Sequence, residues 1–275
     1  QSLQSYFFVG DNMKFKKYIY ITLIVLGVLL VLYPIVRHFE HEQSSMQSTN
    51  DFEEYVQSIQ DKDREQLAKE IEKYNQSTLN QSVSDPYSSG QKVYKINDRL
   101  AAHDVIGEII IPKIQVKEPI YEGTSDTTLQ KGIGHLSGTS FPSGGMGTHT
   151  MLAGHRGLPG AALFSRLNEL EIGDTFSIYT VEGLHTYEVI SIDTILPDAF
   201  QMEPLNEHQD LATLVTCTPY MINSHRLLVT GTRVEKSANV DILKPLSMNW
   251  IVLASVGFLL VAGWILCWKI GCRRK

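Results

Sequence analysis

One cysteine in this chain lies where two apolar, β-branched segments meet. Residues 211–234 form two apolar runs around a polar loop, with Cys217 near the end of the first run and Arg226 near the start of the second. Short runs rich in Leu, Val and Thr and bounded by Pro and Asn predict β-strands. The pattern therefore predicts a strand, a loop and a strand, with a thiol and a guanidinium facing each other across the loop mouth. This pair suits nucleophilic chemistry, because a thiolate attacks and a fixed cation stabilises the developing oxyanion.

A histidine between glycines is the candidate partner of the thiol. The chain has nine histidines, and His155 stands at the end of an apolar run within residues 151–157. Gly154 and Gly157 would let its backbone and ring approach a neighbouring group closely. An imidazole in that position can accept and return a proton during acyl transfer. Spacing alone leaves three other histidines open as alternatives, namely His135, His149 and His225.

Two apolar segments predict membrane spans. Residues 18–36 and 250–268 are uncharged and about long enough to cross a bilayer, which takes roughly 20 residues. Lysines precede the first segment and Lys and Arg follow the second, so both termini are expected in the cytoplasm and the middle of the chain outside. A cleaved signal peptide is the alternative for the first segment, but no A-x-A type site follows it. Because Cys267 and Cys272 lie in or beside the second segment, Cys217 is the single exported thiol.

Charge and motifs argue against several other classes of site. The chain has 24 Lys and Arg against 30 Asp and Glu, and seven of the basic residues flank the two spans. The remainder is acidic, whereas nucleic-acid binding needs clustered cations. The exported part has neither an H-x-x-x-H nor an H-E-x-x-H pair, and the glycines of residues 143–147 lack the helix and Lys of a phosphate loop. We therefore predict no metal, no cofactor and no nucleic-acid partner.

Between the spans, a helical segment precedes a β-rich one. Apolar residues recur at helical spacing over residues 51–80, which predicts one or two amphipathic helices, and Asp85-Pro86-Tyr87 then forms a turn. Short β-like runs punctuated by Gly and Pro follow, and they predict a closed barrel or a sandwich. The predicted strands are residues 105–111, 116–121, 148–153, 174–180, 186–195, 211–216 and 227–234, with helical inserts at 127–131 and 161–170.

Taken together, these motifs resemble the sortase family of cysteine transpeptidases. The resemblance is carried by T-L-V-T-C ending at Cys217, by Arg226 nine positions later and by G-H at Gly154-His155. Within the family, C-T-P-Y from Cys217, the second span and the helical extension are similar to class C, the pilin polymerases of Gram-positive bacteria. The resemblance implies a mainly β fold, an eight-stranded sortase β-barrel with short helices.

The resemblance also implies residue roles. Cys217 would attack the Thr–Gly bond of a Leu-Pro-x-Thr-Gly sorting signal to form a thioester, His155 would protonate the leaving amine, and Arg226 would steady the oxyanion. A Lys amine of another pilin subunit would resolve the thioester. Asp85, Pro86 and Tyr87 match a class C lid, so we hypothesise that Asp85 pairs with Arg226 and that Tyr87 covers Cys217.

Three other functions remain open on the sequence. The same chemistry could anchor surface proteins to a peptidoglycan stem amine, a cysteine hydrolase would only cut, and a binding or assembly module would keep Cys217 as a structural residue. The predicted domain division lists an extension and cytoplasmic N-terminus (1–17), a span (18–36), a linker (37–50), a helical extension and lid (51–92), a catalytic barrel (93–240), a linker (241–249), a span (250–268) and a cytoplasmic tail (269–275).

Overall fold

A computed structural model describes residues 4–78, 83–88, 104–201 and 207–235 of the chain. The described residues fall into two compact units, one made by the N-terminal helical residues up to Val36 and one that starts at Arg37. The second unit contains every predicted site residue.

Two long helices precede the β-structure. Helix α1 spans Gln4–Ser58 and helix α2 spans Asp61–Thr78. In the part of the chain that the structure describes, α1 alone is long and apolar enough to cross a membrane, and its apolar stretch begins at Tyr18. The predicted span at residues 250–268 lies outside the described residues.

The segment predicted as a linker, residues 37–50, is helical in the structure and is a continuous part of α1. Its Gln and Ser residues suggested a flexible connection, but Ser45 and Thr49 are buried. The Ser45 hydroxyl donates to the Glu118 carboxylate at 2.7 Å. Small polar side chains at these positions let the helix pack closely, and hydrogen bonds satisfy the polar atoms that become buried.

Eight strands follow the two helices. They are β1 (Val105–Ile111), β2 (Val116–Glu122), β3 (Ile133–His135), β4 (Thr148–Ala153), β5 (Thr175–Thr180), β6 (Gly183–Ile195), β7 (Asp210–Thr218) and β8 (His225–Val234). They close into a barrel in the order β1-β2-β3-β4-β7-β8-β6-β5. The β2–β3 and β4–β7 pairs are parallel and the other pairs are antiparallel. The predicted eight-stranded barrel is confirmed, and all eight strands lie inside the predicted 93–240 segment.

Two local predictions need correction or extension. Helix α3 (Asp126–Lys131) replaces the predicted insert at 127–131 and begins one residue earlier, where the Ser125 hydroxyl caps the Thr128 amide. The insert predicted at 161–170 consists of turns and a short 3₁₀ segment, Leu167–Glu169. Strand β3 was not predicted, because three residues are too few to show alternation.

The barrel interior is filled by aliphatic and aromatic side chains from all around the sheet. Ile109, Ile120, Leu152, Phe176 and Val229 have no exposed surface. Complete burial of such a side chain contributes roughly 1.5–3 kcal/mol to folding. The strands therefore form a closely packed frame, and the candidate site lies where β4 and β7 end.

Helix α1 packs on the outside of β1, β2 and β5 through both apolar and charged contacts. The Phe52 ring meets Tyr179 edge-on at 6.2 Å. Beside it, the Lys117 ammonium lies 3.1 Å from Glu53 and 3.4 Å from the buried Glu108 carboxylate. Burial raises the pKa of Glu108 to about 7, and the Lys117 charge opposes that rise. This interface therefore buries a carboxyl group whose ionisation is unfavourable.

Candidate active site

Cys217 and Arg226 lie opposite each other on antiparallel neighbours. The β7–β8 register pairs Cys217 directly with Arg226. Both residues are buried, with 8% and 7% of their surfaces exposed. Directly paired residues on antiparallel strands have Cβ atoms about 5 Å apart. The predicted strand–loop–strand arrangement is confirmed, and it fixes the thiol and the guanidinium side by side.

His155 comes to the same level from the other side of β7. Strands β4 and β7 are parallel, and their register pairs Ala153 with Val215. The Gly154 amide continues the ladder by donating to the Val215 carbonyl at 3.1 Å. His155 and Cys217 are each two residues beyond the Ala153–Val215 pair, on chains that run side by side. The parallel pairing thus brings together two residues from distant parts of the sequence.

The Gly154 position is too crowded for any side chain. A Cβ atom there would lie 2.7 Å from both the Ile133 side chain and the Phe164 ring. The Phe164 amide also donates to the His155 carbonyl at 3.2 Å. Close packing under the backbone therefore sets the direction in which the chain leaves β4 and presents His155.

Asp85 closes the Arg226 side of the site. Its two carboxylate oxygens accept from the Nε and Nη2 atoms of Arg226, each at 2.7 Å. The Asp85 and Arg226 side chains are only 10% and 9% exposed. A buried, two-point pair of this kind is strong and directional. It also raises the pKa of Arg226 further, chiefly through these hydrogen bonds.

Tyr87 covers the centre of the site. Its hydroxyl donates to the Gly154 carbonyl at 2.7 Å and lies 3.0 Å from the Val215 carbonyl. Its ring centroid is 5.0 Å from the Arg226 guanidinium and 6.0 Å from the His155 ring. A single aromatic ring therefore contacts both candidate partners of the thiol.

Pro86 stiffens the turn that carries these two residues. The Ser88 amide and hydroxyl donate to the Asp85 carbonyl at 3.0 and 2.8 Å, which closes the turn around buried Pro86. Proline fixes the backbone angle required at the second position of such a turn. We call residues 85–88 the lid turn.

The covered site favours the neutral forms of its thiol and imidazole. Burial raises the pKa of Cys217, and the Asp85 charge raises it further, while Arg226 opposes both. Burial lowers the pKa of His155, with a smaller opposing effect from the Asp126 carboxylate. Because the reactive species is the thiolate, the covered arrangement disfavours attack by Cys217.

Two hydroxyl groups that the sequence analysis did not single out tie the two chains together beside this pair. The Thr216 hydroxyl donates to the Gly154 carbonyl at 2.8 Å, and Arg156 donates from Nη1 to the Thr218 hydroxyl at 2.9 Å. Alternation along β7 could have indicated that the Thr216 and Thr218 side chains share one face of the strand and that Cys217 points to the other. Their partners depend on the β4–β7 register, which the sequence does not reveal.

The three alternative histidines, His135, His149 and His225, make contacts that differ from those of His155. His135 and His149 are buried, and burial lowers the pKa of each to about 4. His149 bonds the Thr213 hydroxyl at 2.7 Å, so it is satisfied as a neutral residue in the sheet. His225 bonds its neighbour Ser224 and pairs in register with Thr218. Among the described residues, no group of three His, Cys, Asp or Glu side chains is arranged to hold a metal ion.

Residues 109–234 match the family described as the sortase domain. The chain is 31% identical to Sortase D of Bacillus subtilis strain 168 over 131 residues, which is 46% of this chain and 63% of that protein. It thus spans a little under two thirds of that curated relative.

Solved structures give longer matches. A crystal structure of Streptococcus agalactiae Sortase C1 is 40% identical, with a TM-score of 0.66 over 71% of this chain and 98% of that one. Sortase C of Streptococcus pneumoniae, described in relation to catalysis and pilin substrate specificity, is 40% identical with a TM-score of 0.63, over 68% of this chain and 96% of that one.

Proposed function

The chain belongs to the sortase family of cysteine transpeptidases, and from that premise we propose that it is a class C enzyme that polymerises pilins. Its substrate would be a Leu-Pro-x-Thr-Gly sorting signal, cleaved between Thr and Gly, and its acceptor a Lys amine of another pilin subunit. The observation that carries the proposal is the alignment of Cys217 on β7 with Arg226 on β8 and with His155, which lies two residues past the end of β4. The similarity to class C structures supports the choice of pilins as substrates.

The first half-reaction forms a thioester. The Cys217 thiolate attacks the Thr carbonyl carbon, and the carbonyl oxygen becomes an oxyanion beside Arg226. A guanidinium stays charged at any relevant pH, so it can donate to this oxygen throughout. The tetrahedral intermediate then collapses, the Thr–Gly bond breaks, and His155 gives its proton to the leaving Gly amine.

The second half-reaction makes the new bond. The acceptor amine attacks the thioester carbonyl, loses a proton to His155 and displaces the Cys217 thiolate. The product is an amide between the Thr carbonyl and the Lys side chain, and the site returns to its starting protonation state. Arg226 serves the second oxyanion as it serves the first.

The lid turn would have to leave before either step. While Asp85 occupies two Arg226 donors, those donors are not free for an oxyanion. Tyr87 lies against both His155 and Arg226, where a substrate carbonyl would need to enter. We therefore propose that the described arrangement is a resting state, opened by a substrate or a partner protein.

The membrane arrangement is part of the same proposal. The apolar stretch of α1 would anchor the enzyme, with the barrel on the outer face. The predicted second span would return the chain to the cytoplasm, which makes both termini cytoplasmic. The acidic exported domain would then meet its protein substrates at the cell surface.

Mass spectrometry of Cys217 tests this function. The full chain carrying Asp85→Ala/Tyr87→Ala, in which the lid turn no longer competes, is incubated in detergent with a Leu-Pro-x-Thr-Gly peptide, and we expect a thioester adduct on Cys217 that Cys217→Ala abolishes. Adding a pilin domain with an accessible Lys should convert the adduct into an amide, and Arg226→Lys should slow adduct formation by about 100-fold or more.

Three outcomes would contradict the proposal in different ways. Release of the free acid without amide would indicate a hydrolase, and amide formation with a peptidoglycan stem peptide but not with pilin would indicate cell-wall anchoring. Polymer formation at the wild-type rate by Cys217→Ala would indicate an assembly module with a structural cysteine.

A further inference from the structure

The parallel pairing of β4 and β7 continues past the strand ends as three matched positions. Extending the register from Ala153 and Val215 matches residue 154 with 216, 155 with 217 and 156 with 218. The first pair is joined by the Thr216 hydroxyl and the Gly154 carbonyl, and the third by Arg156 and the Thr218 hydroxyl. His155 and Cys217 are the middle pair. A side-chain hydrogen bond therefore stands on each side of them.

Arg156 is anchored at both ends of its guanidinium. Nη1 donates to the Thr218 hydroxyl at 2.9 Å and Nη2 donates to the Asn168 side-chain oxygen at 2.7 Å. Its Nε is buried and has no hydrogen-bond partner among the described residues. A planar fork that reaches two fixed acceptors holds its own backbone in place, which a single-point Lys would not do.

The chains that follow the two residues are also packed together. Gly157 has a φ of 81°, and a Cβ there would lie 2.7 Å from the Tyr220 ring. The Gly157 amide donates to the Ser165 hydroxyl at 3.0 Å. The loop after His155 thus lies directly against the loop after Cys217.

These contacts differ from the lid contacts because they do not depend on the lid turn being in place. Tyr87 also bonds the Gly154 carbonyl, but that bond is lost whenever the lid turn leaves. The Arg156–Thr218 bond involves no lid atom, so departure of the lid turn removes neither of its partners. The uncovered site is the state in which the separation of His155 and Cys217 must be held to a fraction of an ångström.

We infer that Arg156 and Thr218 form a clasp that keeps His155 level with Cys217 once the lid turn has left. Arg156 is accordingly a positioning residue, which acts through His155 and Cys217 and does not touch the reacting atoms. The inference rests on the proposed function for its catalytic meaning, but its geometry is independent of the substrate.

The clasp is tested with single-group substitutions in the full chain. Thr218→Val removes the hydroxyl without changing charge, and Arg156→Gln removes the fork. Each should lower kcat for the sorting peptide about tenfold or more while KM stays within about twofold. The double variant should be about as slow as the slower single variant, because the two groups make one interaction. Thr218→Ser, which keeps the hydroxyl, should restore kcat.

Alkylation of Cys217 by iodoacetamide separates failure of the inference from failure of the proposed function, because it needs no substrate. In the Asp85→Ala/Tyr87→Ala background, loss of the clasp should raise the pH midpoint of alkylation by about one unit, since the imidazole no longer supports the thiolate. If this background forms no thioester with the peptide, the proposed function fails, yet the pH midpoint of alkylation still decides the clasp.

Two results would overturn the clasp. One is that Thr218→Val leaves both kcat and the pH midpoint of Cys217 alkylation unchanged. This result overturns the clasp even if Arg156→Gln shifts both values, because that shift would then come from the lost charge. The other is a loss of activity in Thr218→Val that merely follows a lower Tm, with the alkylation midpoint unmoved. Arg166→Gln removes an exposed arginine that pairs with Glu169 in the same region, and it should leave both readouts unchanged.

Discussion

Asp85 and Arg226 are 141 residues apart in the chain, and the carboxylate of one receives two 2.7 Å hydrogen bonds from the guanidinium of the other. This pair makes the lid turn a competitor for the cation beside the candidate nucleophile. The Asp85 charge also raises the pKa of Cys217: it adds to the larger effect of burial and opposes the lowering by Arg226. A single contact thus affects the availability of the cation and the reactivity of the thiol.

Replacing Asp85 with Asn should accelerate alkylation of Cys217. The change removes a negative charge that disfavours the thiolate and weakens a charge-assisted bond that holds the lid turn closed. We expect about a tenfold faster reaction with iodoacetamide near neutral pH. Asp198→Asn, on an exposed 3₁₀ turn, is the matched control and should react like the wild type.

Tyr87→Phe should produce a smaller acceleration than Asp85→Asn. It keeps the ring against His155 and Arg226 but removes the hydroxyl that bonds the Gly154 carbonyl. One hydrogen bond of about 1 kcal/mol corresponds to roughly a fivefold change in lid opening. The alkylation rate measures this directly, and a Tyr87→Phe rate equal to that of the wild type would show that the hydroxyl does not hold the lid.

Gly154→Ala should impair catalysis more than its cost in stability explains. The new methyl group would meet the buried Phe164 ring at 2.7 Å, so the backbone that carries His155 must shift. We expect kcat to fall about tenfold or more and stability to fall by roughly 1–3 kcal/mol.

Gly173→Ala provides the control for that experiment. Its Cβ meets nothing within 4 Å, but its φ of 92° strains any other residue. It should therefore lower Tm while kcat stays near the wild-type value. If Gly154→Ala shows the same pattern as Gly173→Ala, the crowding under His155 has no catalytic role.

Glu108→Gln should change how stability depends on pH. In the folded chain the pKa of Glu108 rises from 4.5 to about 7, so the contribution of this carboxyl to stability is greatest below pH 4.5 and is lost as the pH rises through 7. That loss should be roughly 3 kcal/mol in all, and the Gln variant should lack it. Thermal unfolding at about pH 5 and about pH 8 measures both proteins.

The exposed Glu65, which pairs with Lys69 at 2.7 Å, gives the comparison for Glu108. Glu65→Gln should keep the wild-type pH dependence, since an exposed pair contributes little. Parallel pH curves for the wild type and Glu108→Gln would mean that the buried carboxyl does not titrate in this range.

The sequence predicted the part of the fold that follows from local alternation. The strand at 105–111 and the strand at 148–153 match β1 and β4 residue for residue. The apolar run ending in Cys217 and the one beginning at Arg226 became the antiparallel pair β7 and β8. Such strands can be predicted from sequence because their side chains either alternate between apolar and polar or form a continuous apolar run that is buried on both faces.

Other features depend on contacts that local patterns do not encode. Ala161, Phe164, Leu167 and Leu170 follow a three-residue spacing that is typical of a helix, yet turns and a short 3₁₀ segment bury them equally well. The sequence of residues 37–50 suggested a linker because it shows no helical pattern of its own. Packing on β2, which local patterns do not reveal, stabilises the helix there. The Asp85–Arg226 pair and the Arg156–Thr218 bond both join residues from distant segments, so only the folded chain displays them.

Because the lid turn is covalently part of the enzyme, Asp85 meets Arg226 at an effective concentration on the order of millimolar. A dilute soluble peptide must compete with that tethered carboxylate and is expected to react poorly. A substrate anchored in the same membrane as the enzyme would be delivered at a comparable local concentration and would compete with Asp85 at similar strength. The lid turn would thus restrict reaction to proteins that are co-localised with the enzyme, without any contact that reads their sequence.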